Sequence, residues 1–225
     1  MLRDSALVVF AKLPVAGRVK TRLLGALSPS QAAQVHRACL RDTVALLDAV
    51  PACSRWLMVA GSDEEARALA REMKLGAGWN AYAQFGRDLG ARLERAMGRL
   101  FAMGMRRVVV VGTDAPWIGV QKLRQALRWL EADDVVIGPA ADGGYYLVGA
   151  RRPVEEIFRG IPWGSSQVMA ATRRTLEKLR IRFRLLGRDF DLDRPADLAR
   201  AAEMLRASPH RAPALAAWLA KHRKG

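Results

Sequence analysis

The sequence predicts an α/β fold, a three-layer α/β/α arrangement with a mostly parallel sheet, on three observations. Strand-like and helix-like segments alternate along the whole chain with no long linker, internal repeat or low-complexity tract, the pattern of a parallel sheet with helices on its faces. Val108-Val109-Val110-Val111 is an unbroken valine run, suited to a central strand covered on both sides. The first apolar run, residues 6–10, empties into a loop bearing Lys12, Arg18, Lys20 and Arg22, four cations within eleven residues. In open α/β sheets ligands bind outside the carboxyl ends of the strands, so such a loop is placed to meet an anion.

The elements follow in order. After the first strand and its loop, Ser28-Pro29-Ser30-Gln31 reads as a helix start: a capping serine, proline at the first helical position and glutamine completing the capping box. Val35, Cys39, Leu40, Val44, Leu47 and Val50 continue that helix until Pro51 ends it. Residues 55–60 form a second strand and 62–73 a helix. Residues 88–103 form a strong helix, with Leu89, Leu93, Met97, Leu100 and Phe101 at helical spacing and Gly104 as the stop. The valine strand covers 107–112, and Val120, Leu123, Leu127 and Leu130 mark the next helix. Strands at 135–139 and 145–149 flank Ala140-Ala141-Asp142-Gly143-Gly144, whose Asp-Gly step is a hairpin signal. A helix over 165–179, a strand over 181–186, a helix over 195–205 and a short terminal helix over 212–221 complete the chain. The expected organisation is one domain over 1–225, with a core of about 6–206 and a helical tail of 207–225. Gly76-Ala77-Gly78-Trp79-Asn80-Ala81 matches the dinucleotide fingerprint letter by letter. It follows a helix rather than a strand and opens no helix, so it is expected to be a loop.

Composition narrows the function. A chain of 225 residues with 51% hydrophobic residues can bury roughly 70–75% of its unfolded surface. Apolar runs of about five residues fall far short of the ~20 that span a bilayer, and residues 1–5 lead into the first strand without a signal-peptide pattern. The two cysteines, Cys39 and Cys53, form no CxxC pair, which argues against a disulfide framework or structural zinc. These bounds fit a cytoplasmic enzyme or binding domain. The net charge of +15, with thirty of 37 basic residues arginine, raises a nucleic-acid partner as an alternative. The arginines are spread over different amphipathic helices instead of forming a patch, so a small anionic ligand is the preferred partner.

Several motifs can carry chemistry. Pro14 and Gly17 shape the basic loop, and Gly17 lets backbone N–H groups approach a phosphate. Thr113-Asp114-Ala115-Pro116 sets a carboxylate directly after the valine strand, where Mg²⁺ or Mn²⁺ could use its oxygens and neutralise a diphosphate. In Phe190-Asp191-Leu192-Asp193, alternate side chains share one face of an extended segment, and either aspartate could be a second ligand. Asp88 is a helix cap whose neighbour Gly90 leaves room for a flat ring. Gly143 and Gly144 let a substrate approach the backbone beside Asp142 and Tyr145. Walker A, GxSxG and HExxH motifs are missing. His36, His210 and His222 lie in helical or tail segments away from these motifs, which argues against histidine-based catalysis.

The basic loop, Thr113-Asp114-Ala115-Pro116, Asp142-Gly143-Gly144-Tyr145-Tyr146-Leu147, Ile161-Pro162-Trp163 and Phe190-Asp191-Leu192-Asp193 occur in an order and spacing that resembles a bacterial family of GT-A-type glycosyltransferases. That family was long filed as a domain of unknown function, and one branch is linked to arsenosugar biosynthesis. It is similar in turn to phospholactate and molybdenum-cofactor guanylyltransferases. The resemblance spans roughly residues 6 to 200. It implies a nucleotide-diphospho-sugar transferase (GT-A, Rossmann-like) fold, with Lys12, Gly17, Arg18, Lys20, Arg22, Asp88 and Gly90 toward the nucleotide. Asp114 and Asp193 match the family's metal aspartates, for Mg²⁺ or Mn²⁺. Asp142, with Gly143, Gly144 and Tyr145, would orient donor sugar or acceptor. Arg194 stands where a threonine cap is usual, Ala115 where a serine is common, and Gly164 where a serine follows Ile-Pro-Trp. The implied activity is metal-dependent glycosyl transfer from a nucleotide sugar to a small acceptor. The alternatives are nucleotidyl transfer with release of pyrophosphate, and nucleic-acid binding on a degenerate enzyme fold.

Overall fold

The computed structural model describes residues 4–222; the expectations for residues 1–3 and 223–225 lie outside these. Seven strands form one sheet in the order β3-β2-β1-β4-β6-β5-β7. The strands are β1 Ser5–Lys12, β2 Ser54–Ala60, β3 Trp79–Ala83, β4 Arg107–Gly112, β5 Val135–Pro139, β6 Tyr145–Ala150 and β7 Phe183–Leu185. Every neighbouring pair is parallel except those of β6, which runs antiparallel to both β4 and β5. The helices are α1 Pro29–Asp48, α2 Asp63–Glu72, α3 Leu89–Ala102, α4 Val120–Trp129, α5 Val168–Lys178, α6 Pro195–Ala207 and α7 Pro213–Lys221. The mostly parallel α/β/α prediction is met.

Strand alternation decides the two cores. Leu7, Val9, Leu57, Val59, Val109 and Val111 face one side, where Leu40 and Leu47 of α1, Leu69 of α2 and Leu123 and Leu127 of α4 cover them. Val8, Val108, Val110, Ile137 and Val148 face the other, under Leu93, Met97 and Leu100 of α3 and Leu176 of α5. A third cluster joins Val35 and Cys39 on the far side of α1 to Trp117, Phe190, Leu192, Leu205 and Leu215, and so docks α6 and α7. Asp42 of α1 accepts from the Ala214 and Leu215 amides, both at 2.9 Å, tying down the start of α7. The Ser28 capping box forms as expected, with Gln31 N donating to Ser28 Oγ at 3.2 Å and Ser28 N to Gln31 Oε1 at 2.9 Å.

Three boundaries differ from expectation. The segment expected to be a loop, 76–81, ends inside β3: Trp79 and Asn80 pair with Arg55 and Trp56 of β2. Its strand character comes from that pairing, with Trp79 partly buried against the core, because five residues with only two aromatics carry little periodicity of their own. Helix α5 begins at Val168 instead of residue 165, because Ser165 Oγ bonds the Pro162 carbonyl and holds the chain in a turn. Strand β7 keeps only three residues at the sheet edge. Among the described residues no helix is long and apolar enough to cross a membrane.

Candidate active site

Parallel strands bring their carboxyl ends to one edge of the sheet, and the turn from β5 into antiparallel β6 opens on that edge too. The segments that stood out in the sequence are therefore gathered there: the basic loop after β1, residues 84–90 after β3, 113–118 after β4, 140–144 between β5 and β6, and 187–193 after β7. Strands β1 and β4 are neighbours, yet the chain leaves β1 toward β2 and β3 on one side and continues from β4 on the other. This reversal of strand order is the place where α/β sheets open a crevice. The basic loop forms one wall of the crevice and Asp114 the other.

Lys20 connects the walls. Its Nζ lies 2.5 Å from Asp114 Oδ1 and 3.6 Å from Asp193 Oδ1, and it donates to the Leu192 carbonyl. The Lys20 side chain is only 3% exposed, whereas that of Asp114 is 46% exposed. Arg22 NH1 adds a contact to Asp193 Oδ2 at 3.3 Å. Lys20 adopts the left-handed conformation, φ 50 and ψ 37, uncommon for a residue with a side chain. The side chains of Lys12 and Arg18 are exposed and make no hydrogen bond or ion pair among the described residues. The loop thus turns one cation inward and leaves two outward, with Gly17 at φ 77 making the turn.

The carboxylates are held by the strap that follows β7. Leu192 N donates to the Asp114 carbonyl at 2.7 Å, Trp117 Nε1 to Asp189 Oδ1 at 2.9 Å, and Lys122 Nζ to Asp189 Oδ2 at 2.9 Å. The Trp117 and Phe190 rings pack 4.4 Å apart beneath. Helix α6 lacks a capping side chain at Arg194, but Asp197 accepts from the Asp193 and Arg194 amides at 3.2 and 2.7 Å. The reciprocal half of a capping box therefore fixes the Asp193 backbone.

Crowding sets the charges. Asp191 is pushed up to about 8 by burial and by the neighbouring carboxylates Asp114, Asp142 and Asp193. Asp193 is raised by burial and by Asp114, against the pull of Lys20 and Arg22. Burial also works against ionised Asp114, but the Lys20 ammonium more than offsets it and holds the carboxyl below its usual range. Lys20 is held charged, since Asp114 overcomes the cost of its burial. Asp114, Asp191 and Asp193 thus crowd together with Lys20 and Arg22, and Asp191 is the most strongly raised of these three carboxyls.

Other predicted residues are placed as follows. Asp142 sits exposed on the rim, accepting from its own Gly144 amide at 2.8 Å, the aspartate turn that the Asp-Gly step signalled. At Gly143, φ is 92 and a Cβ would lie 2.0 Å from the Ser166 carbonyl oxygen, so this glycine serves packing against the start of α5. The Tyr145 hydroxyl is buried, which pushes its proton affinity up, and the ring meets Trp163 edge-on at 6.0 Å; the phenol faces protein. Asp88 caps α3, accepting from Ala91 N at 2.8 Å. The flat ring over Gly90 is the chain's own: a Cβ there would lie 2.3 Å from Trp163 Nε1 and 2.5 Å from the Phe158 carbonyl oxygen. The space that the glycine was expected to leave for a ligand is filled by indole.

His36 corrects the view that all three histidines stand apart from the motifs. On α1, it is buried behind the basic loop and its Nε2 lies 3.0 Å from the Lys12 carbonyl oxygen, to which the neutral ring donates. Burial lowers its proton affinity. Its place beside Val35 on the buried face of α1 was readable; the partner 24 residues earlier was not. Asp189 was also missed, because its two partners lie 67 and 72 residues away.

A family profile described as an uncharacterized protein conserved in bacteria, DUF2064, matches residues 43–165. The chain belongs to the DUF2064 family. The matched segment includes Asp88, Asp114 and Asp142, while the basic loop and Asp193 lie outside it. A crystal structure of a candidate nucleotide-diphospho-sugar transferase from Desulfovibrio desulfuricans G20 is 31% identical, with a TM-score of 0.90 over 97% of this chain and 94% of that one. Rv0371c of Mycobacterium tuberculosis, in complex with manganese, is 20% identical with a TM-score of 0.54, over 88% and 98% of the two chains. A nucleotidyl transferase from Methanothermobacter is 17% identical with a TM-score of 0.58, over 91% and 99%. No curated protein sequence matches the chain. These likenesses give this DUF2064 member the nucleotide-diphospho-sugar transferase fold and place it among transferases.

The oxygens of Asp114 and Asp193 suit a hard divalent cation, but their arrangement does not. Lys20 Nζ occupies the position between them, and among the described residues no group of three or more His, Cys, Asp or Glu is arranged to hold a metal ion.

Proposed function

We propose that this chain is a glycosyltransferase that takes a nucleotide-diphospho-sugar as donor and passes the sugar to a small-molecule acceptor. The observation that carries this reading is that, beside the neighbouring strands β1 and β4, the exposed cations Lys12 and Arg18 stand on the same loop as Lys20 and Arg22, which engage the carboxylates Asp114 and Asp193. A diphosphate laid along the loop would meet Lys12, Arg18 and Arg22, with backbone approach at Gly17. As the bond between the sugar's anomeric carbon and the diphosphate breaks, charge grows on the departing phosphate. Fixed cations aimed at that charge stabilise the transition state more than the ground state. Asp142, exposed on the opposite rim, is the side chain we assign to orienting the donor sugar or acceptor, with Gly144 beside it.

The family resemblance implies Mg²⁺ or Mn²⁺ at Asp114 and Asp193, where it would add charge neutralisation to the diphosphate. With Lys20 between those carboxylates, the chemistry above rests on side chains alone.

The test has two parts. A nucleotide or nucleotide sugar that binds only the native state raises stability by mass action, so a thermal-shift panel identifies the base and sugar. With that donor and a suitable acceptor, the enzyme is expected to release nucleoside diphosphate without pyrophosphate. Stoichiometric pyrophosphate from a nucleoside triphosphate, lost in Asp114→Asn, would replace this reading with nucleotidyl transfer.

A further inference from the structure

We propose that Arg188 reads an anionic group on the acceptor, so that the acceptor is a hydroxyl compound bearing a carboxylate or a phosphate. The inference rests on the glycosyltransferase reading, which sets Asp142 at the sugar and acceptor end of the crevice. Arg188 lies in the strap that follows β7, and its side chain reaches the turn between β5 and β6. Its Nε donates to the Ala140 carbonyl at 3.4 Å and its NH2 to the Ala141 carbonyl at 2.8 Å. Asp142 is the next residue along that turn. Those two bonds use one edge of the planar guanidinium. The other edge, formed by NH1 and the second hydrogen of NH2, has no partner among the described residues. That edge presents two parallel N–H donors, the fork that holds a carboxylate or phosphate through two oxygens.

The charge on Arg188 is not neutralised among the described residues. Carbonyl oxygens orient a guanidinium but carry no formal charge to cancel it. The neighbouring carboxylates are engaged elsewhere, Asp189 by Trp117 and Lys122 and Asp142 by its own Gly144 amide. Arg184, four residues earlier, differs in this respect, because Asp133 pairs with its guanidinium at 2.7 Å. Arg188 is also exposed, so an anion can reach it from water. Position separates this cation from those assigned to the donor. The strap starts at the end of β5, where Asp189 N donates to the Pro139 carbonyl at 3.1 Å. It ends at the basic loop, where Arg22 meets Asp193 at 3.3 Å. Strands β1 and β5 are three places apart in the sheet, roughly 14 Å at about 4.8 Å per strand. A diphosphate held by Lys12, Arg18 and Arg22 is too short to reach Arg188 as well. The anion that Arg188 takes therefore belongs to the molecule at the other end of the crevice, beside Asp142.

The first measurement needs no knowledge of the natural acceptor. In protein carrying ¹⁵N-arginine, the Arg188 Nε resonance is identified by its absence from Arg188→Lys. It is expected to shift with glycerate or glycerol 3-phosphate and to stay in place with glycerol. The second measurement uses the donor found by thermal shift and acceptors that differ in a charged group. Glycerol is compared with glycerate and glycerol 3-phosphate, and glucose with glucuronate and glucose 6-phosphate. The preferred anionic class is expected to show a kcat/KM roughly tenfold or more above the neutral partner, and the larger ratio decides between carboxylate and phosphate. Arg188→Gln, shown folded by circular dichroism, is expected to remove that ratio. Arg188→Lys is expected to keep part of it, since an ammonium retains the charge without the fork. A purely structural role would lower neutral and anionic acceptors alike and leave the ratio unchanged. An Arg188 resonance unmoved by both anions, a ratio near one in wild type, or a ratio that survives in Arg188→Gln would overturn the proposal. A requirement for an acidic donor sugar with a neutral acceptor would overturn it too. Failure of every nucleotide sugar to bind would remove the glycosyltransferase reading, and the Arg188 resonance would then decide the anion site by itself.

Discussion

Replacing Asp114 by asparagine takes one charge from the crevice while leaving a side-chain oxygen for Lys20. Breaking a fully buried ion pair costs about 3–5 kcal/mol, and breaking an exposed one about 0–1 kcal/mol. This pair is buried on the lysine side, at 3% exposure, and half open on the aspartate side, at 46%. Asn Oδ1 and the Leu192 carbonyl still face the ammonium, and Asp193 remains 3.6 Å away. Losing Asp114 also relieves the repulsion that raises Asp191 and Asp193. The balance is a loss of about 1–2 kcal/mol, between the two limits. At roughly 2–4 °C per kcal/mol for a chain of this size, Tm falls by several degrees. The assay is urea unfolding at pH 7 followed by far-UV circular dichroism, with and without the best nucleotide ligand. A lower midpoint with an unchanged m-value, and loss of nucleotide stabilisation, are expected. A midpoint equal to wild type, with nucleotide stabilisation intact, would refute the reasoning on both the Lys20 pair and the site.

Gly90→Ala tests whether that glycine serves packing: its Cβ would meet Trp163 Nε1 at 2.3 Å and the Phe158 carbonyl at 2.5 Å. Overpacking at about 1–3 kcal/mol should outweigh the helix-propensity gain of up to about 1 kcal/mol; unchanged stability with weakened nucleotide binding would show a ligand-facing glycine instead. His36 has its proton affinity lowered on folding from the usual value of 6.5. Its contribution is therefore fully present above that pH and lost as pH falls below it, because the unfolded chain protonates first. Asp191 and Asp193, both raised, act in the opposite sense, so the measurement is the stability difference between wild type and His36→Gln from about pH 7 to 5; a difference that does not change with pH would refute it. Asp42→Ala removes the acceptor of the Ala214 and Leu215 amides and is expected to cost about 1–2 kcal/mol. Faster proteolysis near residue 212 reports the undocking of α7, and an unchanged cleavage rate would refute that role.

Much of the fold was legible because its signals are local. The valine run, the capping serines and the helical spacings of Leu93, Met97 and Leu100 depend on near neighbours, and they placed most elements within a few residues. The rule that ligands bind outside the carboxyl ends of parallel strands set the basic loop of Lys12, Arg18, Lys20 and Arg22 and the Asp114 turn at one end of the sheet, while Asp142 and Asp193 joined the site through the family resemblance. Strand β3 was missed because pairing to β2 makes it a strand, and pairing partners are not written in a five-residue segment.

The sequence by itself determined which charges this protein carries and which strands they follow along the chain, since the succession of strands and helices is read from periodicity; the order of the strands in the sheet came from the tertiary structure. Only the tertiary structure decided which way each side chain turns. Lys20 and Arg18 are two residues apart on one loop, yet one is buried against carboxylates 94 and 173 positions away and the other stands exposed. Gly90 meets Trp163, and His36 reaches back to Lys12. Such contacts depend on the distance between elements after packing, to within an ångström, and local periodicity does not contain that distance.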